Sequence, residues 1–210
     1  MSISFLKKIV SPSNQLIIQM GTPAFQEQQQ NFLSPVIQAI INSHTIEVKY
    51  HTQSRDVTTN RCLDPYYLIP RDHRFYLIAY CHKQQRVLTF RLSRILNVTQ
   101  TDQTFEKQEF NVKEYFKHTW SIIQGTDKVH FKVLFSKDIA RYIREEELFV
   151  KPKLTEREDG SLLFEVTLNH EREFLQWIMQ YGTSAEILEP VHYRDKMKET
   201  LQSWLKMYQK

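Results

Sequence analysis

Seven arginines and two lysines fall between Lys49 and Arg94, against only three acids, Asp56, Asp64 and Asp72. That stretch holds an excess of six positive charges, while the 210-residue chain as a whole carries +4, so the remainder stands at −2. Tyr66, Tyr67, Phe75, Tyr76 and Tyr80 are interleaved among the bases. Guanidinium forks match phosphate and carboxylate oxygens, and rings set among them stack on bases, so the composition points to an anionic, nucleic-acid-like partner. It equally fits a solvated strand surface that keeps the chain in solution, and both readings stay open on composition alone.

Other chemistries find no residues to carry them. The four glycines, Gly21, Gly125, Gly160 and Gly182, are too scattered for a phosphate-cradling loop or a dinucleotide fingerprint. Cys62 and Cys81 are too few for a four-thiolate zinc site or a disulfide framework, and free thiols fit a reducing, cytoplasmic compartment. Among eight histidines no pair has the helical spacing of a zinc motif, and His170-Glu171 is followed by Phe174 where a second ligand would be needed. Cys81 and His82 are neighbours on a strand-like run, so their side chains point apart and cannot act as nucleophile and base. The acids Glu145 to Glu147 and Asp159 read as solvated surface. The expectation is a protein without catalytic residues, metal or cofactor. Lys7 and Lys8 interrupt the apolar start, and no apolar run approaches the ~20 residues that cross a bilayer, so neither export nor membrane insertion is expected.

The elements that must position the basic stretch follow from periodicity. Residues 1–34 are rich in Gln, Asn and Ser, with a near-polyglutamine run at Gln26 to Gln30 and an apolar patch at Leu16 to Ile18, and read as a linker or arm. Ser34-Pro35 then reads as an N-cap and first helical position, with Val36, Ile37, Ile40 and Ile41 recurring at helical spacing up to Asn42. From Thr45 the period becomes two, with Ile46, Val48 and Tyr50 on one face and Glu47, Lys49 and His51 on the other. Strand-like runs follow at Val57 to Leu63, Tyr66 to Pro70, Phe75 to Cys81 and Val87 to Val98, and Asn111 to Trp120 reads as a closing helix. One helix and about five short strands imply a small twisted sheet or open barrel over residues 35–124.

Residues 125–210 read as strand, helix, strand, strand, helix, strand and a last helix. Asp159-Gly160 marks a hairpin of type I′, Asn169 a helix cap, Gly182 a helix end. That order is a ferredoxin-like βαββαβ plan with an extra C-terminal helix, so the fold class is α+β. The stripe Met197, Leu201, Trp204, Leu205 and Tyr208 on the last helix packs either on its own sheet or on another chain.

Phe75-Tyr76-Leu77, followed by Thr89-Phe90-Arg91-Leu92-Ser93-Arg94-Ile95, resembles the WYL domain of bacterial transcriptional regulators. Arg61-Cys62-Leu63-Asp64-Pro65 stands where that family has its opening elements. The second half, with Asp159-Gly160, Trp177 to Gly182 and Ile187-Leu188-Glu189-Pro190, resembles the WCX extension that often follows it. Two departures stand out. Phe75 replaces the tryptophan of the family tripeptide, and Ser93 replaces an acid common between the two strand arginines, which leaves Arg91 and Arg94 less neutralised.

The resemblance implies an Sm-like small β-barrel that senses a nucleic-acid-derived or nucleotide-like ligand, bound by Tyr76, Arg86, Arg91 and Arg94. Strand parity puts Tyr76 with Ile78 and Tyr80, and Arg91 opposite Phe90 and Leu92. Arg94 has core parity unless a bulge or strand end re-aims it. Tyr76 either stacks on a base or fills the barrel's second face. Arg61 and Lys49, on the outward parity of their strands, could widen the patch. The expected partner is single-stranded nucleic acid or a nucleotide-like ligand, with the second unit serving in a homodimer or transmitting the bound state. Duplex DNA is expected only if a separate helix-turn-helix is present. Residues 1–34 are too few and too aperiodic to form one, so the chain reads as a sensor without its reader or as a piece of a longer protein. The rival readings are an accessory protein of a nuclease or phage-defence complex, and an enzyme acting on nucleotides.

Overall fold

In the computed structural model, residues 30–72 and 74–209 are described. The chain divides after Lys107 into two compact units. The expected arm at residues 1–29, with Leu16 to Ile18, lies outside the described residues.

The first unit runs α1 (Gln30–Asn42), β1 (His44–Thr52), β2 (Val57–Arg71), β3 (Arg74–Cys81), β4 (Arg86–Arg91), a 3-10 turn (Leu92–Arg94) and β5 (Ile95–Thr104). Its five strands form one antiparallel sheet in the order β4-β3-β2-β1-β5. Ile46, Val48 and Tyr50 of β1 turn inward onto Leu63, Leu77, Ala79, Cys81 and Phe90, as the two-residue period requires, and Glu47 and Lys49 are exposed.

Three local expectations are corrected. Pro35 does not open α1 but lies inside it, and residues 30–34 are helical rather than part of an arm. The packed face of α1 is Phe32, Leu33, Val36, Ala39 and Ile40, while Ile41 is exposed. Apolar contact by Phe32 and Leu33 carries the helix past a proline that cannot donate its N–H. Asp64-Pro65 does not break β2. The strand continues for 15 residues and absorbs the irregularity as a register shift between Pro65 and Tyr67. Conversely, the run from Val87 to Val98 is not one strand, because the turn Leu92–Arg94 splits it.

The second unit contains α2 (Val112–Tyr115), β6 (Val129–Phe135), α3 (Lys137–Glu145), β7 (Lys153–Glu156), β8 (Leu162–Leu168), α4 (Arg172–Met179), a 3-10 turn (Gly182–Ser184), β9 (Ala185–Glu189) and α5 (Val191–Met207). Its antiparallel sheet has the order β7-β8-β6-β9. Alternate residues of β8 are buried along its whole length, and Phe131, Phe135, Phe164 and Phe174 are fully enclosed. Each such ring contributes about 1.5–3 kcal/mol by leaving water.

Segment 108–124 belongs with this unit rather than closing the first. Trp120 packs on Phe164, Phe174 and Trp177. Glu173 Oε2 accepts hydrogen bonds from the backbone N–H groups of Ser121, Ile122 and Ile123 at 3.0–3.1 Å. Gly125 follows where a Cβ would stand 2.0 Å from the Asn169 carbonyl oxygen, so the close approach itself excludes any side chain.

The other turn signals resolve differently from expectation. Of Asp159 and Gly160 only Gly160 has positive φ, at 81°, and its N–H donates to the Arg157 carbonyl, so the hairpin is not a two-residue type I′ turn. Asn169 does not cap α4, whose N-cap is Glu171; its amide donates to Thr119 and Gln124 instead. Residues 148–152 are not strand, and β7 begins only at Lys153. On α5, Tyr193 and Met197 pack on the core, whereas Leu201, Trp204, Leu205 and Tyr208 are exposed. Among the described residues no helix is long and apolar enough to cross a membrane.

Candidate anion-binding site

The arginines gather on one face of the first sheet because three strand registers coincide. Tyr76 of β3 lies directly opposite Arg91 of β4 and, on its other side, opposite Ile69 of β2. Arg74, two residues before Tyr76, shares its face and pairs with Arg71 across the β2–β3 turn. Side chains paired in this way stand within reach of one another, so Arg71, Arg74, Tyr76 and Arg91 form one patch.

The backbone of Arg91 is fixed from the core side. Its N–H donates to the Tyr50 hydroxyl at 3.3 Å, and Tyr50 meets Phe90 edge to face at 5.2 Å. Arg91 Nε is buried and has no hydrogen-bond partner. Burial, and then the neighbouring Arg74 and Arg94 cations, push the Arg91 guanidinium below its ordinary value, with Tyr76 and Tyr50 acting in the opposite sense. A guanidinium that is partly desolvated, crowded by like charge and short of one acceptor is stabilised by an incoming anion.

The turn Leu92–Arg94 settles the open question about Arg94. Leu92 points into the core, and the turn carries Arg94 outward, where its Nη2 donates to Gln53 Oε1 at 2.9 Å. Tyr76 is only 8% exposed, which leaves it little ring face on which a base could stack.

The remaining expected residues lie elsewhere. Arg86 pairs with Cys81 at the far end of β3 and β4, five residues from Arg91 and so roughly 17 Å along the strand. Lys49 faces outward between Asn60 and Asn97, which oppose it on the neighbouring strands, and these residues line a shallow polar depression with Glu47, Cys62 and Thr99. Arg61 borders that depression too, but its register is that of the other face: it pairs with the buried Val48, and its Nη1 reaches 3.9 Å from the buried Cys81 Sγ, so the outward parity assigned to it is corrected.

Arg74 belongs to the site although neither motif nor resemblance singled it out. Its place two residues before Tyr76 on a strand was the available signal. A second constellation also escaped the sequence. The buried Asp64 carboxylate accepts from the Thr45 hydroxyl at 2.7 Å, and its same oxygen lies 2.8 Å from His82 Nε2, at the end of the strand pair opposite Tyr76. Cys62, the thiol nearest the polar depression, is raised by burial first and by Asp64 and Glu47 next, which disfavours a nucleophilic thiolate. Among the described residues no three His, Cys, Asp or Glu side chains converge as metal ligands.

Comparison with known proteins follows the same division. Residues 31–100 match the WYL domain and residues 127–205 the WCX domain. Over 203 residues the chain is 23% identical to an uncharacterized HTH-type transcriptional regulator, YobV, of Bacillus subtilis (strain 168). The match covers 91% of this chain and 60% of that relative, so the chain spans less than two thirds of its length. Among solved structures, a CRISPR Cas-related protein shares the fold with a TM-score of 0.51 at 14% identity, over 84% of this chain and 51% of that one. Proteasome accessory factor B/C of Arthrobacter aurescens aligns over 90% of this chain and 29% of its own, at 24% identity and a TM-score of 0.40.

Proposed function

Because the chain belongs to the WYL-domain family, with a WYL domain followed by a WCX domain, we propose that it is the ligand-sensing part of a WYL-type transcriptional regulator. The first unit binds a nucleic-acid-derived or nucleotide-like anion through Arg91, Arg94 and Arg74, against a wall formed by Tyr76. The observation that carries this reading is the buried Arg91 Nε without a partner, set among like charges. The protein acts in the cytoplasm by binding rather than by catalysis, and any contact with duplex DNA would be made by a separate helix-turn-helix.

The first unit is read as an Sm-like open barrel. What supports this is connectivity: β4 and β5 stand at opposite ends of the sheet order, yet three residues join them. Three residues of 3-10 rise span about 6 Å, whereas five flat strands would set their edges about 19 Å apart. The second unit is read as ferredoxin-like, supported by its βαββαβ order and the strand order β7-β8-β6-β9. It serves as the homodimer unit, and the exposed Leu201, Trp204 and Leu205 on α5 favour that role.

The test is titration with a single-stranded oligonucleotide of about 12 nucleotides at low and moderate salt. Binding is expected to weaken as salt rises, with a log–log slope of about −2 for three phosphate contacts on a single strand. It should be lost in an Arg91→Ala Arg94→Ala variant. Absence of binding, or binding indifferent to that double substitution, overturns the assignment.

A further inference from the structure

Arg74 and Arg94 both bear on the Arg91 cation, and Ser93, beside Arg94 in the turn, is neutral. Gln53, the partner of Arg94, is also neutral. Among the described residues no ion pair joins Arg74, Arg91 or Arg94 to a carboxylate, and the buried Nε of Arg91 has no hydrogen-bond acceptor. An internal phosphodiester brings one negative charge, and two of its four oxygens are tied up in ester bonds to bulky sugars. A phosphomonoester brings about −1.5 to −2 near neutral pH and three free acceptor oxygens. It also stands at the end of its molecule, so it can meet the three arginines head first, where a continuous strand can only pass over them.

Resting on the binding reading above, we infer that the site takes a phosphomonoester end, the terminal phosphate of a short oligonucleotide or of a nucleoside monophosphate, in preference to internal phosphodiesters. The Arg91 guanidinium holds two oxygens of that group in the bidentate manner that its planar fork favours. Arg74 and Arg94 balance the remaining charge. The preference is therefore for a chain end and not for a base sequence.

The experiment compares oligonucleotides of one sequence bearing a 5′-phosphate, a 3′-phosphate or hydroxyls at both ends, with nucleoside monophosphate as competitor. All are titrated against the full chain at moderate salt. At least one phosphorylated end should bind tenfold or more tightly than the hydroxyl-ended strand. The monophosphate should displace it if a single nucleotide suffices, and the two phosphorylated arms distinguish which end enters. Arg91→Lys keeps the charge but loses the planar fork, and should remove the preference while leaving weaker binding to all three strands. Arg74→Gln, an exposed substitution, should reduce the preference with the fold intact by circular dichroism. Equal affinity of the three strands for the wild-type chain, or a preference that survives both substitutions, overturns this inference alone. Failure of every strand to bind overturns the underlying binding reading instead.

Discussion

Tyr76 and Arg91 face each other across β3 and β4, the tyrosine nearly sealed from solvent and the arginine keeping one buried nitrogen without an acceptor. A site so arranged is held at a cost to the unliganded fold. A buried donor without a partner destabilises by about 1–3 kcal/mol, and the like charge of Arg74 and Arg94 adds to it. Replacing Arg91 by methionine should therefore raise the melting temperature of the free protein while abolishing anion binding. Thermal denaturation with and without oligonucleotide checks both halves; a variant less stable than wild type would count against the strain.

Glu173 predicts the opposite balance. One carboxylate oxygen satisfies three consecutive backbone N–H groups that would otherwise face a packed interior. Glu173→Gln keeps the shape but weakens charge-assisted bonds, and should destabilise the second unit by about 2 kcal/mol, read by urea denaturation. Anion binding to the first unit should not change.

Gly125 offers a steric test. With the Asn169 carbonyl oxygen 2.0 Å from the position of any Cβ, Gly125→Ala must push the 119–125 segment off α4. Overpacking of this kind costs about 1–3 kcal/mol or more. Hydrogen exchange at residues 121–123 should rise in step, because the same displacement pulls their N–H groups from Glu173.

Acid should loosen the β7–β8 hairpin. The Ser161 hydroxyl and then its N–H hold the Asp159 carboxyl below the usual range, and a hydrogen bond from Lys153 does the same for Glu165. A lowered carboxylate stabilises the fold above its unfolded value, about 3.9 for Asp and 4.3 for Glu, and that contribution is lost as pH falls through the folded value. Exchange protection of β7 and β8 should thus fall as pH drops below about 4. The decline should be shallower in an Asp159→Asn Glu165→Gln variant.

The exposed face of α5 is open to a direct check. Trp204→Asp with Leu201→Glu removes apolar surface that is about half exposed, 48% and 53%, so a modest loss of stability of about 1 kcal/mol is expected by urea denaturation. If the homodimer reading holds, the mass measured by light scattering should fall from two chains to one.

Much of this architecture was legible because alternation is a strong signal where one face is buried. Ile46, Val48 and Tyr50 could be assigned inward from the residues alone, as could the exposure of Lys49. What was not legible depended on partners distant in sequence. Arg61 has the pattern of an outward residue until its register against Val48 is known. Pro35 has the chemistry of a helix start, yet the contacts of Phe32 and Leu33 override it. Segment 108–124 follows the first unit in sequence but owes its place to Trp120 and Glu173 contacts some fifty residues onward. Tyr76, Arg91 and Arg94 were singled out by resemblance, and register and turn bring them near one another. Arg86 fell away because strand length separates it from the others, a distance that motif order does not encode.

The turn Leu92–Arg94 gives the site a mechanical meaning. Arg91 ends β4 and Arg94 ends the turn, so the two arginines stand on either side of the short link between the outermost strands of the sheet. On the proposed binding reading, an anion held by both would tie the two ends of that link together, so occupancy would be registered at the place where the chain passes from one edge of the sheet to the other.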